Sequence, residues 1–248
     1  MATALAGRRP RTAPGPLYLQ IADDLGARIE SGDLAPHAPL PTERELAERW
    51  DVARMTVRHA LDLLERHGSI YRRHGRGSFV SEPKLVQDTG RLLGFFEQTL
   101  VQGALPSSQV LHARKIQAGR SLAASLGIGV GDFAHEVVRL RSARGEPVVL
   151  ETSHFPAARF PGLLERDLAH ASIYRLMDEF YEGRPTSADQ SLEAIPIGQY
   201  DAELLRIAVG SPALRLERIA RDRHDLIVEH AVDIYRADRA RFVTHLAL

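Results

Sequence analysis

The chain of 248 residues contains no cysteine, so neither a disulfide bond nor a thiolate metal site is possible. This composition suits a reducing compartment, and we expect a cytoplasmic protein. Lysine is nearly absent, with Lys84 and Lys115 as its only two residues. Few side chains are therefore available for Schiff-base chemistry.

Long apolar runs are also absent, since no stretch approaches the roughly 20 residues of a membrane-spanning helix. We therefore expect no membrane partner. The first residues, Met1 to Pro16, contain arginines but no continuous apolar core, which argues against a signal peptide. We expect residues 1–14 to form a disordered arm.

The formal net charge is zero, but the charge is unevenly distributed along the chain. Between Val52 and Gly77 there are six arginines against only two acidic residues, Asp62 and Glu65. A local basic patch of this kind is typical of proteins that bind a phosphate backbone. The alternative is an ordinary solvated face.

The pattern before residue 70 predicts three helices. In the first, apolar residues recur every fourth position, between Pro16 and Gly32 as start and stop signals. Thr42 and Glu45 form a capping box that opens a second helix through about Trp50. A third helix is predicted from about Ala53 to His67. The apolar stripes of the first and third helices are Leu17, Ile21, Leu25 and Ile29, and Val57, Leu61 and Leu64.

Two short strands, residues 70–73 and 78–80, should follow the third helix. A basic, glycine-rich turn, His74-Gly75-Arg76-Gly77, joins them. Three helices followed by such a hairpin outline a winged helix-turn-helix, in which the start of the last helix meets base edges. A small, charged hairpin tip suits the minor groove. The sequence therefore predicts duplex DNA as a partner.

Residues 17–80 resemble the GntR family of bacterial regulators, although Ala53 stands where that family usually has Ser or Thr, and His37 where glycine is common. The resemblance implies that Arg44 and Arg54 read guanines, that Thr56 and Arg58 position phosphates, and that Gly75 lies at the wing tip. It also implies an inverted-repeat operator, with GT near one end and AC near the other, bound by a homodimer. The predicted DNA-binding residues are Thr42, Glu43, Arg44, Arg54, Thr56, Arg58, Arg72, Arg73, His74, Gly75, Arg76 and Gly77.

The rest of the chain alternates strand patterns with short helices and predicts an α+β domain. We expect a winged helix-turn-helix over residues 15–81, a linker over 82–91, and a ligand domain over 92–248. Strands are predicted around a turn at residues 143–146, and a helix over residues 173–181. Further strands are expected near residues 192–196, 213–222, 226–234 and 242–246.

The second half resembles the UTRA ligand-sensing domain of the HutC-type GntR subfamily. The likeness rests on the order and spacing of several short motifs, which include Val138-Arg139-Leu140-Arg141, Gly145-Glu146-Pro147-Val148, Phe160-Pro161-Gly162-Leu163, Ser172-Ile173-Tyr174 and Tyr235-Arg236. It implies a fold like that of chorismate lyase, with an antiparallel sheet and helices. It also implies an effector site at Arg139, Arg141, Glu151, Ser172, Glu229 and Tyr235.

Arg139 and Arg141 are two apart on a predicted strand, so both should point to one face. Two guanidinium groups on one face can hold a phosphate or carboxylate. The alternatives are a solvated strand face or ion pairs with Glu151 and Glu229. The expected effector is a small anionic metabolite, with a phosphorylated sugar or amino sugar as the first candidate. However, Gly94-Phe95-Phe96-Glu97 lacks the hydroxyl residues that phosphosugar-binding relatives tend to have there.

Other motifs favour no catalytic or metal chemistry. Gly127 to Gly131 precedes a strand and is interpreted as a turn, because a nucleotide loop needs a strand before it and a helix after it. The eleven histidines lack metal-ligand spacing, and no cofactor is expected. We therefore expect a dimeric, ligand-responsive repressor. The alternatives are an enzyme of lyase-like fold fused to a DNA-binding domain, and a DNA-binding protein without a ligand.

Overall fold

The computed structural model describes residues 15–73 and 75–246. The predicted arm and His74 lie outside these residues. The chain divides into two compact units between Pro83 and Lys84. The division falls inside the segment predicted to be a linker, and each unit has its own hydrophobic core.

The first unit contains three helices and a hairpin, as the sequence predicts. Its elements are α1 (Leu17–Glu30), α2 (Glu43–Trp50), α3 (Arg54–Arg66), β1 (Ile70–Arg73) and β2 (Gly77–Val80). The predicted apolar stripes face inward, because Ile21, Leu25, Val57, Leu61 and Leu64 are all buried in one cluster. β1 and β2 pair antiparallel.

The backbone conformation of His37 explains why glycine is common at this position in the family that residues 17–80 resemble. Its φ is +65°, in the left-handed region that favours glycine. Side-chain contacts hold the histidine there: Nδ1 lies 3.3 Å from the Tyr71 hydroxyl, and Nε2 lies 3.0 Å from a carboxylate oxygen of Glu82.

The second unit is built on a six-stranded antiparallel sheet in the order β4-β5-β6-β9-β8-β7. Its strands are β4 (Pro106–Gln117), β5 (Phe133–Ala143), β6 (Glu146–Pro156), β7 (Ser187–Pro196), β8 (Pro212–Arg221) and β9 (Ile227–Arg236). Its helices are α4 (Phe95–Val101), α5 (Arg120–Leu126), α6 (Ile173–Tyr181) and α7 (Gln199–Leu205). The predicted α+β fold class is confirmed.

One strand lies within the predicted linker. Residues Leu85–Asp88 form β3, which pairs in parallel with β10 (Ala240–Val243). Leu85 is buried, so this segment belongs to the core of the second unit. Sequence patterns do not indicate such a pairing, because its two partners lie more than 150 residues apart in the chain.

Alternation along the strands gives the sheet two different faces. Leu150 and Ile234 face one side and pack with α7. Glu151 and Asp233, their neighbours in sequence, point to the other side and lie directly opposite each other on β6 and β9. The two groups of side chains are therefore separated by the sheet, and charged residues are gathered on one buried face.

Candidate nucleic-acid interface and ligand pocket

The start of α2 is fixed by the predicted capping box. The Thr42 hydroxyl accepts a hydrogen bond from the Glu45 backbone N–H at 3.2 Å, and the Glu45 carboxylate accepts one from the Thr42 backbone N–H at 2.8 Å. Next to the box, Glu43 accepts two hydrogen bonds from the Arg58 guanidinium, at 2.9 and 3.2 Å. This pair fixes α2 against α3. Arg44 is exposed and lies 3.7 Å from Glu48 one turn later.

The first turn of α3 is open to solvent. Ala53 occupies the N-cap position and has no side-chain oxygen to accept a hydrogen bond from the backbone N–H groups of that turn. Arg54 is exposed and has no ion-pair partner in the part of the chain that the structure describes. Met55 is also exposed, with 66% of its surface accessible. A helix start with free N–H groups and an unpaired arginine is suited to an anionic partner.

The hairpin places its basic residues in two different settings. Arg72 bridges Asp62 at 2.6 Å and Glu65 at 3.0 Å, both on α3. Arg73 lies over the rings of Tyr71 and Phe79, at 5.4 and 5.5 Å from the ring centres. Arg72 therefore holds the hairpin against α3.

The tip of the hairpin depends on its glycines. Gly75 has a φ of +70° and Gly77 one of +95°, and the Arg76 backbone N–H donates to the Arg73 carbonyl at 2.9 Å. The Arg76 side chain is exposed and makes no hydrogen bond, ion pair or ring contact with another described residue. The tip is thus small, turned by glycine and positively charged.

The predicted DNA-binding residues other than His74, which lies outside the described part, fall at three places in the first unit. These are the start of α2, the start of α3 and the hairpin. Among the described residues, Arg54 and Arg76 have no hydrogen-bond or ion-pair partner, whereas Arg58 and Arg72 are engaged with acidic side chains. Sequence spacing gave no sign of these ion pairs, because the partners come from different elements.

We predict that Gly75→Val weakens DNA binding by the first unit, because a β-branched side chain is strained at positive φ and adds bulk to the tip. We expect a loss of about tenfold in affinity, measured by fluorescence anisotropy with duplex DNA. Gly32→Val is the matched control, since Gly32 has a φ of +83°. An added Cβ at either glycine meets no described atom within 4 Å. Equal affinities for the two variants would contradict contact between hairpin and duplex.

The second unit contains a pocket on the charged face of the sheet. All six predicted effector residues line it, from β5, β6, β9 and the N-cap of α6. Other lining residues were not predicted to bind the effector, among them Phe95, Tyr174, Arg218 and Asp233. One sequence feature could have indicated Asp233: it is the single acidic residue in the apolar stretch Ala231-Val232-Asp233-Ile234.

Arg139 and Glu151 form a buried ion pair in the wall of the pocket. The Arg139 Nε donates to Glu151 at 2.8 Å, a terminal amino group makes a second hydrogen bond to the same oxygen, and the other donates to the Leu168 carbonyl at 3.2 Å. Burial tends to raise the pKa of Glu151, but the charges of Arg139 and Arg141 outweigh this effect and lower the pKa to about 2. The ion pair with Glu151, which the sequence analysis left open, is present for Arg139.

Arg141 is buried but much less engaged. Its guanidinium lies 3.6 Å from Glu151 and 5.1 Å from the centre of the Phe95 ring, and it makes no hydrogen bond to any residue in the described ranges. Burial lowers its pKa, and the charge of Glu151 opposes that shift. A buried guanidinium without hydrogen bonds is costly, which favours a ligand that supplies acceptors.

The other predicted residues have defined places. Glu229 accepts hydrogen bonds from the hydroxyls of Tyr174 at 2.6 Å and Ser153 at 3.0 Å. Ser172 sits at the N-cap of α6, and its hydroxyl makes no capping hydrogen bond among the described residues. Tyr235 is buried and packs edge-on against Phe242, at 5.0 Å between ring centres. Tyr235 therefore combines a core position with a place in the pocket wall.

Gly94, at the start of α4, also lines the pocket. A Cβ at this position would lie 2.7 Å from a carboxylate oxygen of Glu97 and 3.5 Å from the Ser172 hydroxyl. A serine or threonine therefore fits only if Glu97 moves. Because Glu97 is a flexible side chain, a small shift relieves this contact, and the structure gives no steric reason for the glycine.

Asp233 supplies a pH-dependent prediction. Burial raises the pKa of its carboxyl to about 8, although Arg218 opposes the shift and Glu151 adds to it. Between about pH 4 and pH 8 the unfolded chain has lost this proton and the folded chain retains it, so rising pH destabilises the wild-type protein. Asp233→Asn removes this effect. Its stability relative to wild type should rise by up to about 1.4 kcal/mol per pH unit in that window.

Urea unfolding at pH 5, 6.5 and 8 measures this difference. The control is Asp189→Asn, because Asp189 is an exposed partner of Arg221 on the same sheet. It should show no such trend. A stability difference for Asp233→Asn that is constant with pH would mean that Asp233 is ionised in the folded protein.

Residues 15–73 and 75–246 contain neither a membrane-spanning helix nor a cluster of metal ligands. No helix there is long and apolar enough to cross a membrane. No group of three His, Cys, Asp or Glu side chains there is arranged to hold a metal ion.

A winged helix-turn-helix in one unit and a charged pocket in the other are the parts of a transcriptional regulator. The family model for bacterial regulatory proteins of the gntR family matches residues 17–80, and the model for the UTRA domain matches residues 101–241. The chain belongs to the GntR family and is of the HutC type, with a UTRA domain as its second part.

Similar proteins cover nearly the whole chain. The HTH-type transcriptional repressor NagR of Bacillus subtilis is 36% identical over 236 residues, which is 95% of this chain and 97% of NagR. The HTH-type transcriptional repressor PhnF of Mycolicibacterium smegmatis is 34% identical over 238 residues, 96% of this chain and 94% of PhnF. The crystal structure of PhnF from Mycobacterium smegmatis matches with a TM-score of 0.68 at 30% identity, covering 92% of this chain and 99% of that one.

Proposed function

We propose that this protein is a dimeric, ligand-responsive transcriptional repressor of the cytoplasm, which binds a palindromic operator and is released by a small anionic metabolite. The observation that carries the proposal is the presence, in one chain, of an exposed basic helix start and a pocket with buried, unsatisfied guanidinium groups. The similarity to two transcriptional repressors over nearly the full length supports repression. The DNA-binding part is assigned to residues 15–81 and the effector part to residues 92–248.

The DNA contacts follow from the exposure of each arginine. Arg54 and Arg44 read base edges in the major groove, because they lie in the first turns of α3 and α2 and are exposed. Thr56 and Arg73 contact phosphates, and Arg76 enters the minor groove with the hairpin tip. Arg58 reaches a phosphate only if it gives up part of its pairing with Glu43.

The effector is an anion for a reason of charge balance. The pocket is lined by four arginines, Arg91, Arg139, Arg141 and Arg218, and by four acids, Asp88, Glu151, Glu229 and Asp233. Because burial raises the pKa of Asp233 to about 8, its carboxyl is largely neutral at pH 7. One positive charge then remains uncompensated. Arg141 is the main contact for the anion, whereas Arg139 is already occupied by Glu151.

Effector binding regulates the protein by shifting the equilibrium between a form that binds the operator tightly and a form that binds it weakly. The ligand stabilises a form that binds the operator weakly, and it shifts the equilibrium only as far as its affinities for the two forms differ. A shift from 1:99 to 99:1 needs about 5.5 kcal/mol of differential affinity.

Selection from a random pool of duplex DNA tests the proposal. We expect an enriched inverted repeat whose half-sites lie about one helical turn apart, with GT and AC near its two ends. The same duplex should be released by an anionic metabolite found in a thermal-shift screen, in which a ligand at 100 times its Kd stabilises the protein by about 2.7 kcal/mol. No enriched sequence, or single half-sites only, would contradict a dimeric operator-binding protein.

A further inference from the structure

On the side of the sheet that faces α7, away from the pocket, a row of charged and titratable side chains crosses the strands. His154 on β6 is four residues after Leu150, and His230 on β9 is four residues before Ile234, so both histidines point to this side. The members of the row come from β4, β5, β6, β9 and β8, and they are Arg114, Glu136, His154, His230, Glu217 and Arg215.

The row consists of two similar halves, each centred on a glutamate. Glu136 on β5 accepts hydrogen bonds from Arg114 at 2.7 Å and from His154 at 3.1 Å. Glu217 on β8 accepts one from His230 at 2.9 Å and one from an arginine of its own strand at 2.8 Å. Each histidine is therefore tied to the strand on its own side, His154 to β5 and His230 to β8.

The two histidines lie at a fork in the sheet. They are the last directly opposed pair of β6 and β9 at this end of the ladder. Beyond them, β6 continues along β5 as far as Pro156, and β9 runs along β8 from Ile227. The two rings are 6.1 Å apart between centres and inclined by 25°. The histidine pair thus lies where the half of the sheet formed by β4, β5 and β6 meets the half formed by β7, β8 and β9.

Both rings have a buried nitrogen that makes no hydrogen bond. Because an ionised carboxylate only accepts hydrogen bonds, Nε2 carries the proton of each neutral ring, and Nδ1 carries none. The Nδ1 atoms of His154 and His230 are shielded from solvent and have no hydrogen-bond partner within residues 15–73 and 75–246. Protonation of either ring therefore places a proton on a buried nitrogen.

The folded state favours the neutral ring of His154. Burial lowers its pKa, the charge of His230 adds to this shift, and Glu136 and the backbone of His230 oppose it. Because folding lowers this pKa, the stability gained from the neutral ring is complete above about pH 6.5 and is lost as the pH falls below that value.

The carboxylates of the row keep their charge while the histidines titrate. Burial acts to raise the pKa of Glu136, but its hydrogen bonds outweigh this effect and lower the pKa. The hydrogen bond from His230 lowers the pKa of Glu217. His112, whose side chain is 41% exposed, also lies 3.0 Å from Glu136. The helices packed against β6 and β9 are α5 and α7, and their charged residues are Arg120, Asp201 and Glu203.

We infer that His154 and His230 form a pH switch at the fork of the sheet, closed when both rings are neutral and opened when both are protonated. Two positive charges then face each other across the fork. Each is held by a glutamate of its own half of the sheet, so their repulsion acts on the end of the β6–β9 ladder. Histidine is suited to this task because it changes charge near neutral pH.

The switch acts on the other side of the sheet through the neighbouring residues. Ser153 precedes His154, and Glu229 precedes His230, so both point away from the histidine pair. The Ser153 hydroxyl donates to Glu229 at 3.0 Å and thus joins the same two strands. Opening of the fork breaks this hydrogen bond and moves Glu229, a charged residue of the pocket wall.

Hydrogen exchange on the full chain at pH 5 and pH 7 tests the switch, with rates corrected for the intrinsic effect of pH. Peptides that cover residues 153–156 and 227–231 should lose about tenfold in protection at pH 5. Peptides from the paired strands β7 and β8, which contain no histidine, should lose none. Unchanged protection at the fork would overturn the inference.

The double variant His154→Gln with His230→Gln should abolish this loss, because glutamine keeps an N–H group for each glutamate but takes up no proton. His112→Gln is the matched control, since His112 pairs with the same Glu136 but does not belong to the histidine pair. It should leave the loss intact. A loss that persists in the double variant would assign the effect to another group.

An NMR titration of the ring signals keeps the switch testable even if the double variant does not fold. The pKa of His154 should rise by at least about 0.5 in His230→Gln, because the neighbouring positive charge is gone. His112→Gln lacks this effect on the His230 pair and serves as the control again. An unchanged pKa of His154 in His230→Gln would show that the two rings do not repel each other and would reject the switch.

Discussion

Glu151→Ala should lower the free energy of unfolding of the second unit by about 3–5 kcal/mol, because it leaves the buried Arg139 and Arg141 without their carboxylate partner. Urea unfolding followed by far-UV circular dichroism measures the change. Fluorescence of Trp50, the only tryptophan, checks that the first unit keeps its fold, since Trp50 is buried there.

The pH dependence of this effect has a defined sign. The pKa of Glu151 is lowered to about 2, so the ion pair contributes its full stability above about pH 5. That contribution is lost as the pH falls towards 2, and the difference between wild type and variant should shrink with it. Glu193→Ala is the control, because Glu193 is 62% exposed and pairs with Arg215 at 3.6 Å. An exposed pair contributes about 0–1 kcal/mol. Equal effects of the two substitutions would refute a buried structural pair.

Arg54→Ala should weaken operator binding by about 5- to 150-fold, the equivalent of the 1–3 kcal/mol that a bidentate guanine contact contributes. The preference at one base pair should relax at the same time. Arg54→Lys should restore little of the preference, since lysine lacks the planar fork. Anisotropy titrations with the selected operator and with single-base variants measure both effects.

Arg66→Ala controls for the loss of positive charge, because Arg66 is an exposed arginine at the other end of α3. It should reduce binding only slightly and equally for all sequences. Arg44→Ala should behave like Arg54→Ala but at a different base pair. Unchanged operator affinity in both the Arg44 and Arg54 variants would show that the recognition surface lies elsewhere.

Short-range patterns predicted the first unit well. The capping box of Thr42 and Glu45, the apolar stripe of α3 and the glycine turn after Arg73 each depend on residues within a few positions. Their effects are local, so the sequence shows them directly. The ion pairs Glu43–Arg58 and Arg72–Asp62 were not predicted, because they depend on how separate elements pack.

The sequence by itself determined the order of the helices and hairpin, the absence of cysteine chemistry, and the motifs that mark the second unit. Tertiary structure alone decided that β3 pairs with β10, that Arg139 forms an ion pair with Glu151, and that Arg218 and Asp233 line the same pocket. The reason is physical. Local backbone preferences act over one or two turns, whereas strand register brings together residues far apart in the chain and fixes which buried charges find a partner.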